Sequence, residues 1–154
     1  GWLHSTLVTG TLCYGVDGAL VWGRHNCLST WNGGETSRQL QEKLADLYFT
    51  VPGIGVAADS AFPVAREAIV KIVAPLKDGD VDQASAGCRL EMIALHNAIT
   101  SLRQAAEWGM GSASKCYSRL LLPLPYNANK RHVRLDNIYR LYNFRVRRIR
   151  LDRS

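Results

Sequence analysis

The sequence predicts a mixed α/β domain, and three observations lead to this fold class. The first half contains four short runs of apolar and β-branched residues separated by turn-forming residues, which is typical of strands. One helix signal interrupts these runs, and two longer segments in the second half repeat apolar residues every three or four positions. The 154 residues suffice for one domain, in which residues 1–125 hold the sheet and a long helix and residues 126–154 hold a basic C-terminal helix.

The first two strands are predicted to form a hairpin. Leu3–Tyr14 is rich in Leu, Val, Thr and Tyr, and Ala19–His25 follows as the returning strand. Asp17-Gly18 between them is a strong turn signal. We therefore expect Asp17 at the tip of the hairpin, away from any functional site.

A first helix is predicted to begin at Thr36, after a loop over residues 26–34. Gln39 stands three residues after Thr36, which is the spacing of a capping box. Leu40, Leu44 and Leu47 then fall on one side of the helix, and we expect this side to be buried.

A short buried strand, Ile54–Ala58, is predicted to end at Asp59. Pro63 follows soon after and stops strand pairing because it has no N–H to donate. An acid directly after a buried strand stands where open α/β sheets place their chemistry. Asp-Ser pairs also open ordinary turns, and this alternative stays open. A further strand is predicted at Lys71–Ala74.

The long helix is predicted from about Ser85 to Trp108. Five apolar residues repeat at spacings of three and four and predict a continuous core-facing side: Met92, Leu95, Ile99, Leu102 and Ala106. A polar stripe lies beside them: His96, Thr100, Arg103 and Glu107. Glu107 therefore stands at the border of the buried side, and an ordinary helical ion pair with Arg103 is the alternative to a functional role.

The positive charge is concentrated at the C-terminal end. The chain carries +6 overall, whereas residues 127–154 contain nine Lys or Arg against two Asp, a local charge of +7. A basic end on a neutral body indicates a polyanionic partner, nucleic acid first, although a solvated helix surface has the same composition. A final helix is predicted from about Leu135 to Ile149. Its inner side should hold Ile138, Leu141, Tyr142 and Ile149, with Arg140, Arg147 and Arg148 mostly outward.

Several classes of protein are disfavoured by the sequence. The four cysteines are scattered without a C-x-x-C pair, which favours free thiols in a reducing compartment over a disulfide framework or a zinc site. No apolar run reaches membrane-spanning length, and we expect no secretory leader. The chain begins at Gly1 directly in strand-like sequence, so we expect it to be cut inside a domain.

The order of the predicted elements is that of a ribonuclease H-like mixed sheet with flanking helices and with its first strand missing. In that architecture, acids from strand ends and one helix converge on two divalent cations. Such a pair of ions activates water and stabilises the leaving oxygen of a phosphodiester. Carboxylates suit this role because Mg²⁺ prefers oxygen ligands.

Motifs along nearly the whole chain resemble those of Harbinger-type DDE transposase nuclease domains. The matching segments are Gly1-Trp2-Leu3-His4-Ser5, Gly15-Val16-Asp17-Gly18, His25-Asn26, Trp31-Asn32, Asp59-Ser60-Ala61-Phe62-Pro63, Pro75-Leu76-Lys77-Asp78-Gly79-Asp80, Arg103-Gln104-Ala105-Ala106-Glu107-Trp108-Gly109-Met110-Gly111 and Leu141-Tyr142-Asn143-Phe144. Each motif alone is weak, whereas their order and spacing are specific. The resemblance implies that Asp59 is the second and Glu107 the third metal-binding acid of a site for Mg²⁺ or Mn²⁺.

The chain also departs from the family pattern. The first acid of the family would lie upstream of Gly1, and Asp17 is a poor substitute because a hairpin tip lies at the wrong end of the strands. Leu28, Ser29 and Gly33 replace the Pro, Gly and Asp of the family's usual loop. These departures indicate a fragment or decayed relic of a transposase.

Three hypotheses about function follow. The resemblance implies a fragment of a metal-dependent DNA endonuclease domain, located in the nucleus, that is inactive as this chain because one acid is absent. The second hypothesis is a non-catalytic module that binds DNA or protein through its basic helix, and the third is a stable remnant without a selected role. Weak, phosphate-directed contact with DNA is the expected interaction, a separate DNA-binding protein is a further candidate partner, and no membrane association is expected.

Overall fold

The computed structural model of the chain describes residues 8–60, 62–64, 66, 70–77, 79–85 and 87–151. At residues 119, 121, 150 and 151 it describes only the backbone. It is a mixed α/β structure, as the sequence predicted. Its elements are β1 (Val8–Tyr14), β2 (Leu20–Leu28), α1 (Gly33–Ala45), β3 (Val56–Ala57), β4 (Ile72–Val73), α2 (Asp80–Gln83), α3 (Arg89–Cys116), a 3-10 turn (Ser118–Leu121) and α4 (Ala128–Leu151).

The chain forms two compact units. Unit 1 comprises residues 1–37 and 105–154, and unit 2 comprises residues 38–104. The boundaries between them fall inside α1 and α3, so each of these helices contributes to both units. Each unit has its own buried apolar residues, including Cys27, Ala113 and Tyr142 in unit 1 and Leu40 and Ile72 in unit 2.

Unit 1 contains the predicted hairpin. Strands β1 and β2 pair antiparallel, and Asp17 and Gly18 lie in the turn between them. The carboxylate of Asp17 accepts a hydrogen bond from the Ala19 N–H (3.0 Å), and Gly18 has the positive φ of 79° that a side chain would disfavour. Leu3–Leu7, the first part of the predicted strand, lies outside the described residues.

The returning strand is longer than predicted, and it contains a bulge. It continues through Asn26, which has a φ of 62°, to Leu28, whereas the sequence predicted a loop from Asn26 onward. The register shifts between Thr9 and Thr11, where β2 inserts one extra residue. Such a bulge adds twist without ending the strand.

Unit 2 contains the second pair of strands. β3 and β4 pair in parallel, with Val56 opposite Ile72 and Ala57 opposite Val73. Both were predicted, although each spans only two residues. The described strands thus form two two-stranded sheets, whereas the sequence predicted one mixed sheet.

Helix α1 begins three residues earlier than predicted. Its capping box is formed by Asn32 and Glu35: the Asn32 side chain accepts from the Glu35 N–H and the Glu35 carboxylate accepts from the Asn32 N–H, both at 2.9 Å. Thr36 is therefore inside the helix, where its hydroxyl bonds that of Thr11 (2.8 Å). The Asn-Glu pair has the same spacing as Thr36-Gln39. It caps the helix because Asn is a better N-cap than Thr and because Glu is stabilised at the positive end of the helix.

The buried side of α1 is only partly as predicted. Leu40 and Leu44 are buried, whereas Leu47 lies beyond the end of the helix and is 68% exposed.

Helix α3 runs from Arg89 to Cys116, past the predicted end at Trp108. Of the five residues predicted on its buried side, Ile99 is buried and Met92 and Ala106 are half-buried. Leu95 and Leu102 are instead half exposed, while His96 and Arg103 are half-buried. Their polar groups are satisfied there: Nδ1 of His96 accepts from the Leu76 N–H (3.2 Å), and the Arg103 guanidinium donates to an acid at the end of β3. None of the described helices is long and apolar enough to cross a membrane.

Helix α4 begins at Ala128, seven residues before its predicted start. The side chain of Asn127 caps it by accepting from the Lys130 N–H (3.0 Å). Leu135, Ile138 and Tyr142 are buried, as expected for the last two. The prediction was wrong for two residues, because Leu141 is 54% and Ile149 40% exposed.

Helix α4 forms hydrogen bonds with the hairpin at two places. The carboxamide of Asn143 accepts from the N–H of Leu20 (2.8 Å) and donates to the carbonyl of Leu20 (2.7 Å). Next to it, the Tyr142 hydroxyl donates to the carbonyl of Gly18 (2.7 Å).

The second place is the bulge in β2. Asn26 donates to the carbonyl of Ala128 (3.0 Å), and its side-chain oxygen accepts from the buried guanidinium of Arg131. The same guanidinium donates to the carbonyls of Pro125 and Tyr126, both at 3.0 Å. One cation of the basic C-terminal end is therefore structural.

Two glycines inside α3 allow a matched test of this packing. A Cβ at Gly109 would lie 2.6 Å from a ring carbon of Tyr14, whereas a Cβ at Gly111 meets none of the described atoms within 4 Å. We expect Gly109→Ala to destabilise the protein by about 1–3 kcal/mol, because the Tyr14 ring must move. Gly111→Ala should instead stabilise it by up to about 1 kcal/mol through helix propensity. Urea unfolding of both variants measures this, and equal effects would contradict the placement of Tyr14 on α3.

Candidate functional site

Asp59 directly follows Ala58, at the carboxyl end of β3, as the sequence predicted. The N–H of Ala58 bonds the carbonyl of Val73 (2.8 Å) and so extends the pairing of β3 with β4 to the residue before the acid. The carbonyl of Asp59 accepts from the Phe62 N–H (2.9 Å), which closes a turn. Asp59 thus stands at the end of a strand and also opens a turn. The contacts of its side chain decide whether it has a further role.

The Asp59 carboxylate contacts a guanidinium. Nη2 of Arg103 lies 2.7 Å from Oδ2 of Asp59, with the side chains 27% and 57% exposed, respectively. The sequence alternative had Arg103 paired with Glu107 on its own helix, whereas this contact joins α3 to the end of β3. A cation binding at Asp59 would compete with this guanidinium for the carboxylate.

Glu107 is exposed on α3, in the part of that helix that belongs to unit 1, whereas Asp59 belongs to unit 2. A metal site shared by these two acids stays a prediction. Among the described residues, no group of three or more His, Cys, Asp or Glu side chains is arranged to hold a metal ion.

The outer side of α4 carries arginines. Arg140, Arg147 and Arg148 are all exposed, as predicted. The side chain of Arg140 is 77% exposed, and its guanidinium pairs with Asp136 one turn earlier, with Nε 2.8 Å from Oδ2. Arg134 and Arg145 are exposed on the same helix. This side can therefore present positive charge to a polyanion along most of its length.

A cluster of imidazole and phenol rings joins β2 to α4, with His25 on β2 and His132 and Tyr139 on α4. The His25 ring stacks on that of His132, with the centroids 5.1 Å apart and the planes at 30°, and lies 5.4 Å from the ring of Tyr139. Nε2 of His25 is 4.0 Å from Oδ1 of Asp136, and the His25 side chain is 13% exposed.

Burial shifts the pKa values of His25, Tyr14 and Tyr139. It lowers the pKa of His25 below its usual value, the neighbouring His132 lowers it further, and Asp136 opposes both. Burial likewise raises the pKa of Tyr14 and Tyr139 above that of an exposed tyrosine. His25 is therefore favoured as a neutral imidazole, and the two tyrosines as neutral phenols.

Sequence reasoning did not predict the hydrogen bonds by which several residues of the family-like motifs hold unit 1 together. Asn26, Tyr142 and Asn143 bind backbone groups, and Asn32 caps α1. The ring of Trp31 lies under the guanidinium of Arg24, 4.9 Å from its centroid. A signal was available in the positions of the asparagines, since Asn favours caps and irregular backbone, but their partners are distant in sequence.

Comparison of the chain with protein-family models, with curated proteins and with solved structures found no match. The motif resemblance and the geometry of the site therefore carry the functional interpretation.

The lowered pKa of His25 predicts how stability depends on pH. Below about pH 6.5 the unfolded chain binds a proton that folded His25 resists, so the free energy of unfolding should fall as the pH decreases through this value. Above it, this contribution should be constant. His25→Gln should flatten the profile, and His132→Gln should flatten it in part because it removes one of the two causes. Urea unfolding between about pH 5 and 7.5 measures the three profiles, and an unchanged slope in His25→Gln would refute the assignment.

Proposed function

We propose that this chain belongs to a ribonuclease H-like, DDE-type nuclease domain, that it does not cleave DNA by itself and that it binds the DNA backbone through α4. The observation that carries the binding proposal is the docking of α4, which turns Tyr142 and Asn143 toward the hairpin and leaves Arg140, Arg147 and Arg148 exposed. The motif resemblance supports the family and, with it, a nuclear location.

The dimensions of α4 suit a duplex. Its 24 residues span about 36 Å, close to the length of one turn of B-DNA. Guanidinium groups bind phosphate oxygens well because their N–H donors match the oxygens in pairs. Contacts of this kind follow backbone charge and carry no sequence information directly. We therefore infer weak binding to any duplex, dependent on salt.

The ribonuclease H-like arrangement is supported by the parallel pair β3–β4 with an acid at its carboxyl end. Asp59 and Glu107 would be the residues to hold Mg²⁺ or Mn²⁺, and such ions would polarise the phosphodiester and activate water. The described residues supply no cluster of three such ligands, and the Asp59 carboxylate already contacts Arg103. Two acids offer fewer ligands than two ions require, so no cleavage step is assigned to this chain.

One observation favours a protein partner as a second candidate. Val133, Leu141 and Phe144 are 57%, 54% and 63% exposed on α4. Phosphate groups do not bury such apolar side chains, whereas the apolar side of another protein would. A separate DNA-binding protein could thus bind these apolar side chains of α4. In that case the arginines of α4 would not contact phosphate.

A salt titration tests the DNA proposal. Replacing Arg147 and Arg148 with Ala should lower the affinity equally for unrelated duplexes, because both residues contact the backbone only. The slope of log affinity against log salt should become shallower by up to about two, because each phosphate that the protein neutralises contributes about 0.9 to it. Fluorescence anisotropy with two labelled duplexes of different sequence measures both effects.

Two control variants sharpen this test. Arg38→Ala with Lys77→Ala removes the same charge from exposed positions of unit 2 and should leave the slope at the parent value. Leu141→Ala with Phe144→Ala should leave DNA affinity unchanged if only the arginines matter.

Plasmid DNA should stay intact with Mg²⁺ or Mn²⁺ present. Equal slopes for the parent and the Arg147/Arg148 variant would refute the DNA interface, and cleavage abolished by Asp59→Ala would refute the claim of inactivity.

A further inference from the structure

Unit 2 carries an exposed apolar patch on the segment that links α1 to β3. Five large apolar side chains within residues 47–54 are each more than half exposed: Leu47, Tyr48, Phe49, Val51 and Ile54. Tyr48 has the greatest exposure of the five, at 88%. Single exposed apolar residues are ordinary on a protein surface, whereas a group of this density indicates a contact surface. We call it the 47–54 patch.

Hydrogen bonds hold this segment in a defined turn. The Asp46 carboxylate accepts from the Tyr48 N–H (2.8 Å), and the Asp46 carbonyl accepts from the N–H groups of Phe49 (3.1 Å) and Thr50 (3.0 Å). The hydroxyl of Thr50 donates to the carbonyl of Lys43 (2.8 Å), and Thr50 itself is buried. The backbone that presents the apolar side chains is therefore preorganised, which lowers the entropic cost of binding.

The area of the patch is that of a specific protein–protein interface. An aromatic side chain carries about 150–250 Å² of surface, so the exposed fractions of Tyr48 and Phe49 amount to roughly 300 Å². Leu47, Val51 and Ile54 raise the exposed apolar area to roughly 500 Å². Because interfaces are about 56–65% apolar, this area belongs to an interface of roughly 800 Å² on each partner, which is the standard size.

The charges around the patch have both signs. Nζ of Lys43 lies 4.0 Å from the centroid of the Phe49 ring, and Nζ of Lys71 donates to a backbone carbonyl of the patch (3.1 Å). Two acids, Glu42 and Asp46, line a groove together with Lys43. Such a surface is complementary to itself, because a two-fold axis can place the acids of one copy against the cations of the other. A polyanion or an anionic lipid surface would instead require an excess of cations.

The groove beside the patch can receive an aromatic ring. Its walls are formed by Gln39, Glu42, Lys43, Asp46 and Phe49. Its volume is about 380 Å³, and a cavity of about 150 Å³ already holds benzene, so a tyrosine ring fits. The ring of Tyr48 packs edge-on against that of Phe49, with the centroids 5.1 Å apart, so the exposed ring and the groove are neighbours on one surface. A two-fold contact requires this, because each copy must offer its ring and its groove at once.

We propose that two copies of this chain associate through the 47–54 patch, with Tyr48 of each copy inserted into the groove beside Phe49 of the other. Burial of the apolar side chains drives the association, and the balanced charges around them set its orientation. The dimer is independent of the proposed DNA contact, because its residues belong to unit 2 and α4 belongs to unit 1.

Sedimentation equilibrium of the chain measures this association. Interfaces of this size have Kd values of about micromolar or lower, so the chain should be mainly dimeric at about 100 µM. Raising the salt concentration should leave the dimer in place, because apolar burial supplies the affinity and salt screens only the charges.

Two tyrosines provide a matched pair of variants. Tyr48 in unit 2 and Tyr126 in unit 1 are both 88% exposed, so replacing either with Ser should leave the circular dichroism spectrum unchanged. Tyr48→Ser should weaken dimerisation at least about tenfold, because a tyrosine buried at an interface is commonly a hot spot. Tyr126→Ser should dimerise like the parent.

A chain that stays monomeric at about 100 µM, or a Tyr48→Ser variant that dimerises like the parent, would overturn the proposal. Equal weakening by the two tyrosine variants would overturn it as well, because the contact would then not be specific to the patch. A monomeric chain that sediments with phosphatidylcholine vesicles unless Tyr48 is replaced would assign the patch to a lipid surface instead. Arg147→Ala with Arg148→Ala should dimerise like the parent, so this proposal and the DNA proposal fail separately.

Discussion

The structure of unit 1 depends on the pairing of the Asn143 carboxamide with both backbone groups of Leu20. An N–H and a C=O at the outer edge of a strand need partners, and here a single side chain supplies both in place of a further strand. The Tyr142 hydroxyl extends the same contact to the carbonyl of Gly18. Because these residues are consecutive, they fix both the rotation of α4 about its axis and its position along the hairpin.

The exposed charge of α4 is a consequence of this rotation. Once Tyr142 is buried, Arg140, Arg147 and Arg148 are carried to the exposed side by the helical period. Arg131 lies on the buried side and becomes structural, binding Asn26 and two carbonyls. The arginines of the C-terminal end therefore have different roles. Arg131 stabilises the docking of the helix, whereas Arg140, Arg147 and Arg148 remain exposed on its surface.

Local signals predicted the elements well, and non-local contacts decided the rest. The hairpin turn was predictable because Asp17 and Gly18 stabilise it within a few residues. The partial burial of His96 and Arg103 on α3 was not predictable, since their hydrogen-bond partners lie 20 and 44 positions away in the chain. The sequence also could not locate the start of α1, because two residue pairs have capping-box spacing and only the structure shows that Asn32 is used.

The same distinction applies to the candidate sites. The exposure of the three α4 arginines followed from periodicity alone, whereas the contact of Asp59 with Arg103 depends on how the end of β3 meets α3. No sequence pattern predicts that the hydroxyl of Tyr14 and Nδ1 of His25 are buried without a hydrogen-bond partner among the described residues, because buried polar atoms are usually satisfied.

Hydrogen exchange at the Leu20 amide tests the central role of Asn143 most directly. In the parent chain this amide should be protected like those within the hairpin ladder, because it donates to the Asn143 carboxamide at 2.8 Å. In Asn143→Ala its protection should disappear ahead of that of the ladder amides, whereas Asn137→Ala, at an exposed position of α4, should leave it unchanged. A Leu20 amide that exchanges rapidly in the parent, or equally in the parent and Asn143→Ala, would contradict this account of how α4 is held.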